Sequence, residues 1–278
     1  MTHNKQIFDS AMNRNGKLFA RCYPSETEGR PLIILHGLLG SSRNWTSIAQ
    51  ELSEHRPVWT LDLPDHGASH WTETPAFAEM TASIYEWTQT QGLTGVDWIG
   101  HSMGGKVALR MAWEYPETVS SLVLADIYPK VYEPHHKDHL KAMLETPLDT
   151  LASRKDADTY LQTFVESWPL RQFLLTNLEK DRSSDTFYWL PNLQGLYEQL
   201  EHLAALSIPQ TDTITQPTLL LYGGRSNFVS QEDIEEMPNQ FPRYVVSCLP
   251  NAGHNLHMED RPGFIEAVSA FFESSNEL

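Results

Sequence analysis

Ser102 sits in Gly100-His101-Ser102-Met103-Gly104, between an apolar run that ends at Gly100 and a helical pattern that opens at Met103. A G-x-S-x-G sequence in that setting folds as a sharp strand-to-helix turn that lifts the serine hydroxyl above a sheet. Bulky neighbours would clash in such a turn, which accounts for the flanking glycines, and Gly105 lets the helix approach the sheet. The helix aims its first amides and its positive dipole end at the hydroxyl, where a developing oxyanion would be held. Ser102 is therefore the candidate nucleophile. A second glycine-rich stretch, His36-Gly37-Leu38-Leu39-Gly40, follows another apolar run. It exposes a backbone N–H toward the serine, so Leu38 and Met103 are the expected oxyanion-hole donors; taken alone, this loop also reads as a plain strand-to-helix turn. Gly253-His254 lies between the last apolar run and the last helix. The chain holds 12 histidines, and His254 is set apart by position, because nucleophile, acid and histidine follow in that order in this architecture. His257 reads as a surface or packing residue.

These pieces, with Asp62-x-x-x-His66-Gly67-x-Ser69, resemble the α/β-hydrolase family over nearly the whole chain. Many members place the triad acid in the loop after the strand corresponding to 218–222. Here that loop reads Gly223-Gly224-Arg225-Ser226-Asn227-Phe228 and lacks a carboxylate. Asn227 could orient a histidine but could not stabilise its positive charge. Asp126 ends the strand that follows the Ser102 helix, and some members of the family carry their acid at that strand end; Asp126 is the expected acid. Arg43-Asn44-Trp45, Asp126-Ile127 and the segment 170–178 narrow the resemblance to YbfF-type (ABHD11-like) serine esterases. That resemblance implies an esterase or thioesterase acting on acyl substrates, acyl-CoA included. Pro64-Asp65-His66-Gly67 departs from a common Arg-Asn-His-Gly version, in a loop read as structural.

Apolar runs at 17–23, 31–35, 58–61, 96–100, 122–125, 218–222 and 244–249 alternate with helical patterns at 43–53, 75–90, 103–114, 230–237 and 262–272. Runs apolar on both faces suit central parallel strands covered by helices on each side. The fold expected is α/β: a mostly parallel central sheet flanked by helices, with an inserted helical lid. Residues 131–210 supply the lid. They carry no convincing strand, five prolines that interrupt helical pattern, and an aromatic stripe that includes Trp168 and Trp189. The stripe is first of all lid core, and those two tryptophans are candidates to line an acyl pocket. The hydrolase core then occupies 1–130 and 211–278.

Composition bounds the partners. With 20 Lys and Arg against 36 Asp and Glu, the net charge is −16, which disfavours nucleic acid and anionic membrane. No apolar run is long enough to span a bilayer, and residues 1–10 are too polar for a signal peptide, so stable membrane insertion is not expected and a cytoplasmic address is. Cys22 and Cys248 read as buried or half-buried thiols, neither disulfide nor metal ligands. His135, His136 and His139 with Asp138 read as an exposed polar hinge. Lys130, Lys137, Lys141 and Arg171 could form a local basic patch for acyl-CoA. No metal or organic cofactor is called for. The expected substrate is a small acyl ester or thioester. Dehalogenases and epoxide hydrolases on this fold need an Asp nucleophile. Carbon–carbon hydrolases, lyases and perhydrolases keep a serine triad and remain open, as does a ligand sensor without catalysis.

Overall fold

The computed structural model describes residues 16–275; the polar stretch 1–10 lies outside them. The strands are β1 (Phe19–Tyr23), β2 (Leu32–Leu35), β3 (Val58–Asp62), β4 (Val96–His101), β5 (Val119–Ala125), β6 (Leu178–Lys180), β7 (Phe187–Trp189), β8 (Thr218–Gly223) and β9 (Tyr244–Leu249). β6 and β7 pair with each other, and the others form one sheet in the order β1-β3-β2-β4-β5-β8-β9. β1 runs antiparallel to β3, and every other neighbour in that sheet is parallel.

Successive residues of a strand point to opposite faces, so a run apolar throughout feeds two cores. Ile33, Leu35, Trp98, Leu122 and Leu124 meet α2 (Phe77–Gln91) and α3 (Met103–Glu114) on one face. Leu32, Ile34, Ile99 and Val123 meet α1 (Thr46–Leu52) and α11 (Arg261–Ser274) on the other. All nine of these strand residues are at most 1% exposed. Full burial of such a side chain stabilises by about 1.5–3 kcal/mol.

Between β5 and β8 the chain leaves the sheet. This excursion holds α4 (Lys137–Leu144), α5 (Arg154–Leu161), α6 (Trp168–Leu175), α7 (Leu193–Glu198) and α8 (Leu200–Ala204). It also holds the β6–β7 hairpin, so the expectation of a strand-free segment is corrected. Strands of three residues are too short to show alternation. After β8 come α9 (Gln231–Gln240) and α10 (Leu256–Glu259). Side chains pin the excursion to the core. Asn177 donates to the Leu39 carbonyl at 2.8 Å, Asn192 to the Asp65 carboxylate at 2.8 Å, and Trp71 to the Leu190 carbonyl at 3.2 Å. Asp65 is therefore structural, as its loop was read to be.

Cys22 and Cys248 are free but exposed, not buried. The reason is topological: β1 and β9 are the two edge strands of the sheet, where one face lacks full cover.

Candidate active site

The parallel order of β4, β5, β8 and β9 brings their carboxyl ends to one edge, where open α/β sheets present their ligand crevices. Ser102 follows β4 directly and is the residue before α3. Its backbone has φ 52° and ψ −121°, a conformation that costs a non-glycine residue about 1–3 kcal/mol. The surroundings hold it: the Ser102 N–H donates to the Ala125 carbonyl at 3.1 Å, and the Gly105 N–H donates to the Ser102 carbonyl at 2.9 Å. A Cβ on Gly37 would lie 3.2 Å from the Ser102 Cβ, so the glycine lets the His36–Gly40 loop close against the serine. Leu38 and Met103 line the same cleft as Ser102.

Asp126, immediately after β5, is fully buried and also has a positive φ of 53°. One carboxylate oxygen accepts from the Gly223 N–H at 3.0 Å. The other accepts from His254 Nδ1 at 2.7 Å and from the Ser226 hydroxyl. The strand end thus delivers a carboxylate to His254 from the neighbour of β4, and Asn227 stays exposed beside it. Phe228 stacks on the His254 imidazole, with centroids 3.7 Å apart and planes 15° apart. Beneath it, His101 donates from Nε2 to the His254 carbonyl at 2.8 Å. Burial first, and the nearby histidines next, hold the His101 pKa well below its ordinary value. A neutral imidazole carries one N–H, and a carbonyl partner assigns that hydrogen to Nε2. His257 is a packing residue, stacked on Trp45 at 4.1 Å and 4% exposed.

The cleft of about 60 Å³ is lined by the apolar side chains of Leu38, Met103 and Ile127 from the core and of Leu200 and Leu203 from α8. Ser226, Phe228, Tyr132 and Lys106 were not singled out in the sequence. Ser226 and Phe228 meet Asp126 and His254 from far along the chain, and nothing local marks them. Lys106 alone left a trace, as a lysine amid apolar residues of α3 one turn after Ser102.

Trp168 and Trp189 do not come to the cleft. Trp168 is 61% exposed at the start of α6, and Trp189, the last residue of β7, is 3% exposed within the core. Two members of the expected basic patch are engaged elsewhere: Arg171 is buried against Asp158 and the Val165 and Glu166 carbonyls, and Lys130 pairs with Asp233, while Lys137 and Lys141 stay exposed on α4. Among the described residues, no three His, Cys, Asp or Glu side chains gather as metal ligands. His135 is exposed and, with the half-buried His136, lines the cleft mouth; desolvation and neighbouring histidines hold His136 at about 4.

The chain belongs to the α/β-hydrolase family: the family model for the alpha/beta hydrolase fold matches residues 30–261. A relative from Danio rerio, the sn-1-specific diacylglycerol lipase ABHD11, is 33% identical over 90% of this chain and 81% of its own. Esterase YbfF of Escherichia coli is 25% identical over 91% of this chain and 96% of its own. A solved marine microorganism esterase superposes with a TM-score of 0.85 at 32% identity, covering 92% of this chain and 99% of that one. The family resemblance read from the motifs is thereby established. Among the described residues, no helix is long and apolar enough to cross a membrane.

Proposed function

We propose that this chain is a serine hydrolase, a carboxylesterase or acyl thioesterase, working through Ser102, His254 and Asp126. The observation that carries the reading is the His254–Asp126 hydrogen bond of 2.7 Å beside a serine held at φ 52°. Asp126 occupies Nδ1, which leaves Nε2 to take the Ser102 proton as the hydroxyl attacks an acyl carbonyl. The Leu38 and Met103 amides hold the resulting oxyanion. Collapse of the tetrahedral species expels the alcohol or thiol, protonated by His254. Water, deprotonated by the same imidazole, then releases the acid from the acyl-enzyme. Asp126 keeps the imidazole in one tautomer and stabilises its charged form. Residues 131–210 serve as a cap whose inner wall shapes the acyl cleft. Relatives named as esterases and as a diacylglycerol lipase support a small acyl ester as substrate. A cytoplasmic, nucleic-acid-free setting fits the acidic chain.

The test is labelling with a fluorophosphonate probe, together with turnover of p-nitrophenyl esters and acyl-CoAs. Wild type should label and turn over, and Ser102→Ala should do neither. Labelling that persists in Ser102→Ala would sink the assignment. Labelling without ester or thioester turnover would point to carbon–carbon cleavage by the same triad.

A further inference from the structure

Lys106 lies one helical turn beyond Ser102 on α3 and is 3% exposed. A lysine buried to that extent usually has a carboxylate partner. Among the described residues none pairs with Lys106. Instead its ammonium donates to the Ala204 carbonyl at 2.8 Å and the Ala205 carbonyl at 2.6 Å. These are carbonyls that the end of α8 leaves unpaired within the helix. The Tyr132 N–H also donates to the Ala204 carbonyl, at 2.9 Å. The Tyr132 ring centroid lies 4.8 Å from the ammonium, and its hydroxyl donates to the Phe228 carbonyl at 3.0 Å. Phe228 is the ring stacked on His254. One ammonium thus ties the helix behind the serine to the end of the cap, beside the tyrosine that bonds to the residue covering the histidine. Its surroundings are dry enough for desolvation to lower it to about 7.

Leu200, Leu203 and Ala204 of α8 line the cleft with Ser102 and Lys106. The cleft of about 60 Å³ compares with roughly 150 Å³ for a cavity that admits benzene. It holds a few carbon-sized groups. We propose that Lys106 is a specificity-determining positioning residue: by clamping the Ala204 and Ala205 carbonyls it holds the Leu200–Leu203 wall against the cleft and restricts the acyl group to short chains, acetyl to butyryl. The proposal rests on Ser102 being the nucleophile of an acyl hydrolase.

The experiment measures kcat and KM for p-nitrophenyl acetate, butyrate, octanoate and dodecanoate, with fluorophosphonate labelling of each variant. In wild type, kcat/KM falls at least about tenfold from butyrate to octanoate, the scale on which a hydrophobic pocket discriminates. Lys106→Met releases the wall. The butyrate-to-octanoate ratio drops about tenfold, chiefly through a lower KM for octanoate. Lys106→Gln, whose amide supplies a shorter donor, shifts the ratio the same way by a smaller factor. Leu203→Ala, which trims the wall and leaves the clamp intact, moves it in the same direction as Lys106→Met. A wild type indifferent to chain length overturns the inference, as does an unchanged ratio in a folded Lys106→Met or, should that variant not fold, in Lys106→Gln. Loss of labelling with Ser102→Ala shows separately that the nucleophile assignment stands, so either idea can fail alone.

Discussion

The Asp126 carboxylate meets three donors in the interior, and each contributes differently to the proposed chemistry. His254 Nδ1 at 2.7 Å is the partner the proposed mechanism uses; the Gly223 N–H at 3.0 Å and the Ser226 hydroxyl fix where the carboxylate points. Asp126→Asn keeps the shape but favours the wrong imidazole tautomer, so kcat should drop by about 10⁴. Ser226→Ala removes one hydrogen bond to a charged group, on the order of 1.5–3 kcal/mol, and should lower kcat about tenfold or somewhat more. Asn227→Ala, at an exposed position, should leave kcat near wild type. Steady-state kinetics on one ester separate these cases; near-normal turnover by Asp126→Asn with a crippled Asn227→Ala would reverse the acid assignment. Ser102 and His254 stand out as candidates in the sequence because each lies inside a glycine-marked turn. Asp126 needed an additional clue, the missing carboxylate in the Gly223–Phe228 loop. Ser226 was not legible, since its contact with Asp126 spans 100 positions of chain.

The elements can bring those side chains together because α3 packs very close to the sheet. A Cβ on Gly105 would lie 2.3 Å from Ile127 Cγ2 and 2.8 Å from the Gly100 carbonyl oxygen. Ile127 directly follows Asp126, so pressure at Gly105 is felt at the Asp126–His254 pair as well as in the core. Gly105→Ala should therefore destabilise by about 1–3 kcal/mol, the usual cost of overpacking. It should also lower kcat, because the Asp126 strand end is displaced with Ile127. Urea unfolding with parallel kinetics measures both. Trimming the neighbour, Gly105→Ala with Ile127→Ala, should recover part of the activity; no recovery would assign the loss to the Gly100 backbone contact instead. The same packing explains which elements were readable. β2, β4 and β5 are buried on both faces and announce themselves as apolar runs. β6 and β7 are three residues each within an aromatic stretch of helical pattern, so periodicity had nothing to register. The exposed thiols of Cys22 and Cys248 depended on which strands end the sheet, a property of topology that local sequence does not carry.

Across the whole molecule, folding places a set of histidines where water cannot hydrate their charged form. Burial is the leading cause in each case: His36 is lowered to about 4 and His257 to about 3, and His66 and His101 are lowered as well. Between about pH 6.5 and the folded value, the unfolded chain binds protons on these rings that the folded chain does not. Stability therefore rises with pH through that window, is fully present above about pH 6.5, and is lost as pH falls toward 4. For one histidine lowered to 4 or below, the loss between pH 7 and pH 5 is about 2 kcal/mol by proton linkage. His257 isolates the effect. It stacks on Trp45 at 4.1 Å with planes 9° apart, and its Nδ1 is buried without a hydrogen-bond partner among the described residues. His257→Phe keeps an aromatic ring against Trp45 and removes the proton-binding group. Tm measured at pH 7 and pH 5 should fall for both proteins, and by a few degrees less for His257→Phe, since a kcal/mol moves Tm by about 2–4 °C in a domain of comparable size. Comparing the two pH values cancels the pH-independent cost of the substitution. An equal fall in both would mean that His257 is protonated in the folded state and that its burial does not exclude the charge.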